Sequence, residues 1–131
     1  MHNFKVDIIT PTSIESLDGV NYLRIPALDG LTGVQAKHAN SIIALDIGEI
    51  KIIQNNKEKI YATSGGFADI RKEGTQLLLE TFELSQTIDK IRAEKAVEKA
   101  NLHLKNKNDD LKRAKIALRR AQNRLTILKK F

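Results

Sequence analysis

The sequence predicts a two-part fold: an all-β sandwich or barrel domain over residues 1–84, followed by an antiparallel two-helix α hairpin over residues 85–131. Three observations carry the prediction. All seven glycines and both prolines lie in the first 74 residues, where they punctuate short alternating or β-branched runs, the pattern of turns between strands. The 47 residues from Ser85 onward contain no glycine or proline and a single aromatic, Phe131, in a stretch rich in Ala, Lys, Leu, Glu and Arg, which is helix-forming composition. The charge divides at the same place: residues 1–84 carry 8 Lys/Arg against 11 Asp/Glu, and residues 85–131 carry 14 against 5, so the halves are −3 and +9.

Along the first part, strands are expected over Phe4–Ile9, Val20–Ile25, Leu31–Gln35, Ser41–Leu45, Glu49–Ile53, Lys59–Thr63, Phe67–Arg71 and Gln76–Thr81. Strands this short and closely spaced imply antiparallel pairing, because a parallel pair needs a long crossover. Tyr61 and Phe67 are read as core or cross-strand packing. In the second part, Ser85 or Thr87 is expected to cap the first helix, with Asp89 near the positive end of its dipole. Asn106–Asp110 is the natural break, with Asn108 or Asp109 capping the second helix. Leu111, Ala114, Leu118, Ala121, Leu125 and Leu128 fall at alternating steps of three and four and form one stripe. Ala93, Val97, Ala100 and Leu104 form its counterpart on the first helix. A seam built half from alanine is weakly held, since each leucine replaced by alanine forgoes three methyl or methylene groups at about 0.8 kcal/mol apiece. The hairpin is therefore expected to be detachable.

Several chemistries lack their residues. With no cysteine there is no disulfide, thiolate nucleophile or thiolate metal site. His2, His38 and His103 show no metal-ligand spacing, so no metal is expected, and no phosphate-cradling, dinucleotide-binding or nucleophile-elbow glycine motif is present. Met1–Thr10 lacks a basic segment followed by a long apolar run, so no secretory signal is expected, and no run reaches about 18 apolar residues. The chain is read as not an enzyme by itself. What stands out is a row of arginines on the second helix, Arg113, Arg120 and Arg124, which at 100° per residue lie within about 40° of one another. Such a row is either a solvated face or a grip for phosphates or carboxylates.

Three segments carry a resemblance: Ser64-Gly65-Gly66-Phe67, Ile88-Asp89-Lys90-Ile91-Arg92-Ala93, and Ala117-Leu118-Arg119-Arg120-Ala121-Gln122-Asn123-Arg124-Leu125. With these, the chain resembles the epsilon subunits of F-type ATP synthases along its whole length. The resemblance implies a non-catalytic rotor subunit of the central stalk, coupling ion flow through the membrane ring to ATP synthesis. It would be peripheral, on the cytoplasmic face of the bacterial cell membrane, and tied to the membrane only through the complex. Implied partners are the gamma subunit and the ring of c subunits, and the alpha and beta subunits of the catalytic head when the hairpin extends and blocks ATP hydrolysis. No cofactor is required. ATP is implied as a regulatory ligand of the folded-down hairpin, at positions matching Glu83, Ile88, Asp89, Arg92, Ala93, Arg113, Arg120 and Arg124. Arg92 and the arginine row would neutralise phosphates, and Glu83 and Asp89 would accept hydrogen bonds from base, ribose or a positioning arginine.

One stretch departs from the family pattern. Where the family has Gly-x-Leu-Pro-Gly-His-Ala-Pro, this chain has Gly33-Val34-Gln35-Ala36-Lys37-His38-Ala39-Asn40, without the prolines and the central glycine. His38 and Ala39 keep the register, so a loop contacting the rotor or ring is expected there. The alternative reading is a basic helical nucleic-acid-binding module. Against it stand the lack of stacking aromatics and the acidic residues interspersed among the basic ones, so no nucleic-acid partner is expected.

Overall fold

The computed structural model describes residues 3–35, 39–105 and 111–128. Among these residues nine strands run in chain order: β1 (Phe4–Thr10), β2 (Ser13–Ala27), β3 (Gly30–Val34), β4 (Ser41–Leu45), β5 (Gly48–Gln54), β6 (Lys57–Thr63), β7 (Gly66–Arg71), β8 (Gly74–Leu79) and β9 (Phe82–Leu84). A 3-10 turn, Ser85–Thr87, leads into α1 (Lys90–Lys105), and α2 is Leu111–Leu128. Among the described residues this is the expected order, β then α.

The strands pair in the order β1-β8-β7-β4-β2-β5-β6-β9, with β3 alongside β2. β2 is 15 residues long. Its first part pairs with β1 and its second part with β5 and β3, so it passes from one layer of the sandwich to the other. Period-two alternation puts Val6, Ile8, Leu23, Ile25, Ile50, Ile52, Ala68, Ile70, Leu77 and Leu79 into one core. The β5–β6 hairpin closes through two residues, Asn55 and Asn56, with φ of 52° and 62°, the backbone sign that a tight hairpin turn matching strand twist demands and that asparagine tolerates.

The fold departs from the sequence expectation at three places, in the sandwich and at the start of α1. β1 and β8 run parallel, Val6 opposite Thr75 through Ile9 opposite Leu78; nearly the whole domain lies between them and serves as the crossover. Phe67 is not core but 54% exposed, because β7 turns Ala68 and Ile70 inward. Tyr61 is buried as expected and stacks on Phe82, ring centroids 4.1 Å apart. Neither Ser85 nor Thr87 caps α1: Asp89 does, its Oδ1 accepting the Arg92 amide at 3.1 Å, which satisfies one of the free N–H groups of the first turn. Asn108 and Asp109 lie outside the described residues.

The alanine seam is present. Ala93, Ala100, Ala114 and Ala121 are buried where α1 and α2 meet. Leu111, expected in the stripe, is 49% exposed. Leu128 packs instead on a second, smaller cluster formed by Ile60 and Ala62 on the outer face of β6, Ile88 after the 3-10 turn, and Ile127. That cluster seats the hairpin on the sandwich.

Candidate functional site

α2 presents two faces. One carries the alanine seam. The other lies over the sandwich, and four of its polar residues find partners there. Arg119 donates to Asp46 Oδ2 at 2.9 Å, Arg120 to Glu80 Oε2 at 2.9 Å, and Asn123 Nδ2 to the Gly48 carbonyl at 2.9 Å. Arg124 reaches Glu83 Oε1 through both Nε, at 2.8 Å, and a terminal nitrogen, at 2.6 Å. Guanidinium and carboxylate make charge-assisted bonds of this length readily. At Asp46 the hydrogen bond from Arg119 holds the carboxyl below its ordinary value, against the opposing pull of burial and with help from the Ile47 amide.

The contact is not filled. A cavity of about 270 Å³ remains between the hairpin and the sandwich, lined by Arg120, Arg124 and Asn123 of α2, by Ala96 of α1 and, from the sandwich, by Ala62, Thr63, Ser64, Thr81 and Glu83. Its floor is a hydroxyl network. Thr63 Oγ1 donates to the Thr81 carbonyl at 2.9 Å, Thr81 Oγ1 donates to Ser64 Oγ at 2.8 Å, and the Ser64 amide donates to Thr81 Oγ1 at 3.0 Å. A second cavity, about 510 Å³, lies between the helices, walled by Ala96, Ala100, Ala114 and Ala117 with Lys99, His103 and Arg113 contributing polar groups. Alanines leave this space, since their single methyl groups are too short to fill it.

Of the eight residues the resemblance singles out, the structure gathers Glu83, Arg120 and Arg124 around the first cavity. Arg113 shares a shallow hollow on α2 with Arg120. Ile88 is buried under Ile127, and Ala93 is buried in the seam. Asp89 is engaged as the helix cap, and Arg92 is exposed at the start of α1. Ala39 is exposed and its carbonyl accepts the Ser41 hydroxyl at 3.1 Å; His38 lies outside the described residues. The arginine row, left open between a solvated face and an anion grip, is an ion-paired face at Arg120 and Arg124. The sequence reading missed Asp46, Glu80, Arg119, Asn123 and Ile127. Only the last left a signal, as an isoleucine that falls off the leucine stripe.

Fold and site together define a class: a β sandwich carrying a helical hairpin that arginine–carboxylate pairs hold against it. Comparison with known proteins identifies the family. The model of the ATP synthase delta/epsilon chain beta-sandwich domain matches residues 3–85, and that of the delta/epsilon long alpha-helix domain matches residues 86–129. The ATP synthase epsilon chain of Staphylococcus haemolyticus is 36% identical over 129 residues, covering 97% of each chain. That of Bacillus pumilus is 33% identical over 128 residues, covering 97% of this chain and 98% of its own. The chain belongs to the ATP synthase delta/epsilon family, on the epsilon side. The same fold recurs in the Euglena gracilis mitochondrial ATP synthase, at a TM-score of 0.82 and 21% identity over 96% of this chain and 81% of that one. It recurs again in the central stalk and c-ring of the Tetrahymena thermophila mitochondrial ATP synthase, at a TM-score of 0.65 and 15% identity over 97% of each chain. Among the described residues no helix is long and apolar enough to cross a membrane.

Proposed function

We propose that this chain is a non-catalytic rotor subunit of an F-type ATP synthase, and that its hairpin is an ATP-sensitive arm that restrains ATP hydrolysis. The observation that carries the second half is the convergence of Glu83, Arg120 and Arg124 on one cavity between arm and sandwich. Two arginines beside a space of that size can hold phosphate oxygens bidentately. In the form described here sandwich carboxylates occupy them, so a triphosphate binds by displacing Glu80 and Glu83. When the arm extends, the same guanidiniums are free to meet acidic segments of the alpha and beta subunits. One set of cations thus serves carboxylate, phosphate and partner protein in turn.

The sandwich supplies the surface for rotor docking. Ile42, Phe67 and Leu78 are 76%, 54% and 43% exposed, and the registers of β4, β7 and β8 put them on one outer face. A contiguous apolar patch of this kind marks a protein contact, which we assign to the gamma subunit. The segment containing His38 and Ala39 is assigned to the rotor and its c-ring. In this reading ion coupling reaches the chain only through those partners, and the chain lies peripherally on the cytoplasmic face of the bacterial membrane. The nucleic-acid alternative gains no support, because the basic face is engaged by carboxylates of its own chain.

Titration calorimetry of the full chain with ATP tests the ligand. Binding is expected, weakened about tenfold or more in Arg92→Ala, Arg120→Ala and Arg124→Ala, as removal of a charge-assisted contact implies. Absence of heat at millimolar ATP overturns it.

A further inference from the structure

The contacts holding α2 to the sandwich fall into two groups on different stripes of the helix. Arg119, Asn123 and Ile127 are four residues apart, so each is displaced only about 40° from the last, on three successive turns. Arg120 and Arg124 lie on the neighbouring stripe, about 100° further round. The first group meets the β4–β5 turn, Asp46 to Gly48, and the apolar cluster on β6. The second meets Glu80 and Glu83 and lines the cavity assigned to phosphate.

We propose that the Asp46-Ile47-Gly48 turn is a clasp that keeps the hairpin folded down independently of nucleotide. This rests on the reading of the hairpin as a mobile arm. The turn is built to hold still. Asp46 donates its amide to the Pro26 carbonyl at 2.8 Å, and a Cβ on Gly48 would meet Pro26 Cβ at 2.6 Å, so Gly48 sits tight against the strand beneath it. Asp46 divides its carboxylate: Oδ1 takes the Ile47 amide of its own turn at 2.8 Å, and Oδ2 takes Arg119. The turn thereby aims one carboxylate oxygen and one backbone carbonyl, that of Gly48, at two side chains a helical turn apart. An anion that captures Arg120 and Arg124 displaces Glu80 and Glu83 and borders Asn123, but the Arg119–Asp46 pair lies outside the cavity lining and is left in place. The arm therefore rests folded down before nucleotide arrives, and nucleotide deepens a state that the clasp already populates.

The chain has no cysteine, so spin labels at Lys59→Cys and Gln122→Cys report a single distance from β6 to α2 in the full chain. In nucleotide-free protein, Asp46→Asn combined with Asn123→Ala is expected to raise the population of long distances about two- to fivefold, the range a partly exposed ion pair supports. Asp46→Asn keeps the acceptor for the Ile47 amide, so the melting of the sandwich stays unchanged. The exchanged pair Asp46→Arg with Arg119→Asp is expected to return the short distance, which a merely disrupted turn would not do. Ile127→Asp, which ruins the apolar seat, separates the two ideas. If it frees the arm while the clasp variants leave the distances as they were, the clasp is wrong and the mobile arm stands. If neither frees it, both readings fall.

Discussion

A Cβ on Gly66 would overlap the Leu78 carbonyl oxygen, and the backbone there has φ of 148°, a region L side chains rarely adopt. The position is forced by pairing: Gly66 sits opposite Leu45 on one side and Leu79 on the other, at the start of β7. This is the physical content of the Ser-Gly-Gly-Phe segment, and it concerns the sandwich rather than any ligand. Gly66→Ala is expected to cost about 3 kcal/mol through backbone strain and overlap together, read as a lowered urea midpoint of the full chain; a loss below about 1 kcal/mol would show that the strands yield. Asp89 carries a similar lesson. In the motif to which the proposed function assigns a ligand, its observed task is to cap α1 through the Arg92 amide, so a change at Asp89 alters the helix start as well as the proposed ligand site.

At the scale of the element, α2 is held from two sides, and only one side was legible. The alanine and leucine spacing displayed the seam because period 3.6 is written along a single segment. The sandwich-facing stripe was not legible, because its partners lie 73, 40 and 41 residues away, for Arg119, Arg120 and Arg124 respectively, and an aspartate or glutamate at a strand end or turn gives no sign of the cation it meets. β9, three residues long, fell below the length at which alternation can be seen. The parallel β1–β8 pair escaped for a related reason, since local runs carry no information on which distant strand returns. Docking of α2 should depend on pH through Asp46. Its carboxyl is held below the ordinary value of 3.8 chiefly by the Arg119 hydrogen bond, so docking gains from the ionised form above the ordinary value and loses that gain as pH falls through the lowered one. Acidifying the spin-labelled chain from neutrality to below about pH 4 is therefore expected to lengthen the β6–α2 distance. In Asp46→Asn that component of the pH dependence should be missing; an unchanged profile would assign the effect to other carboxylates.

For the whole molecule, the division of charge acquires a structural meaning. The −3 of the first 84 residues and the +9 of the remainder face each other across the contact, where Asp46, Glu80 and Glu83 meet three arginines of α2. The sandwich does not need the hairpin to fold: every buried residue of its main core, from Val6 to Leu79, and the flanking Phe82 and Leu84 lie before Ser85. The hairpin leans on the sandwich through the small cluster of Ile60, Ala62, Ile88 and Ile127 and the surface ion pairs, which individually contribute little. A chain ending at residue 85 should therefore retain the β-sheet circular dichroism and a cooperative melt, with Ile60 and Ala62 newly exposed. Reassembled with the other subunits, it should raise the ATPase rate of the complex, most at low ATP, where nucleotide adds least to the folded-down state and the arm extends most often. A truncated chain that fails to fold would mean that the small cluster contributes more than its size implies. A folded one that leaves hydrolysis unchanged at every nucleotide concentration would mean that the arginine face serves the sandwich alone, and that the hairpin is a brace rather than an arm.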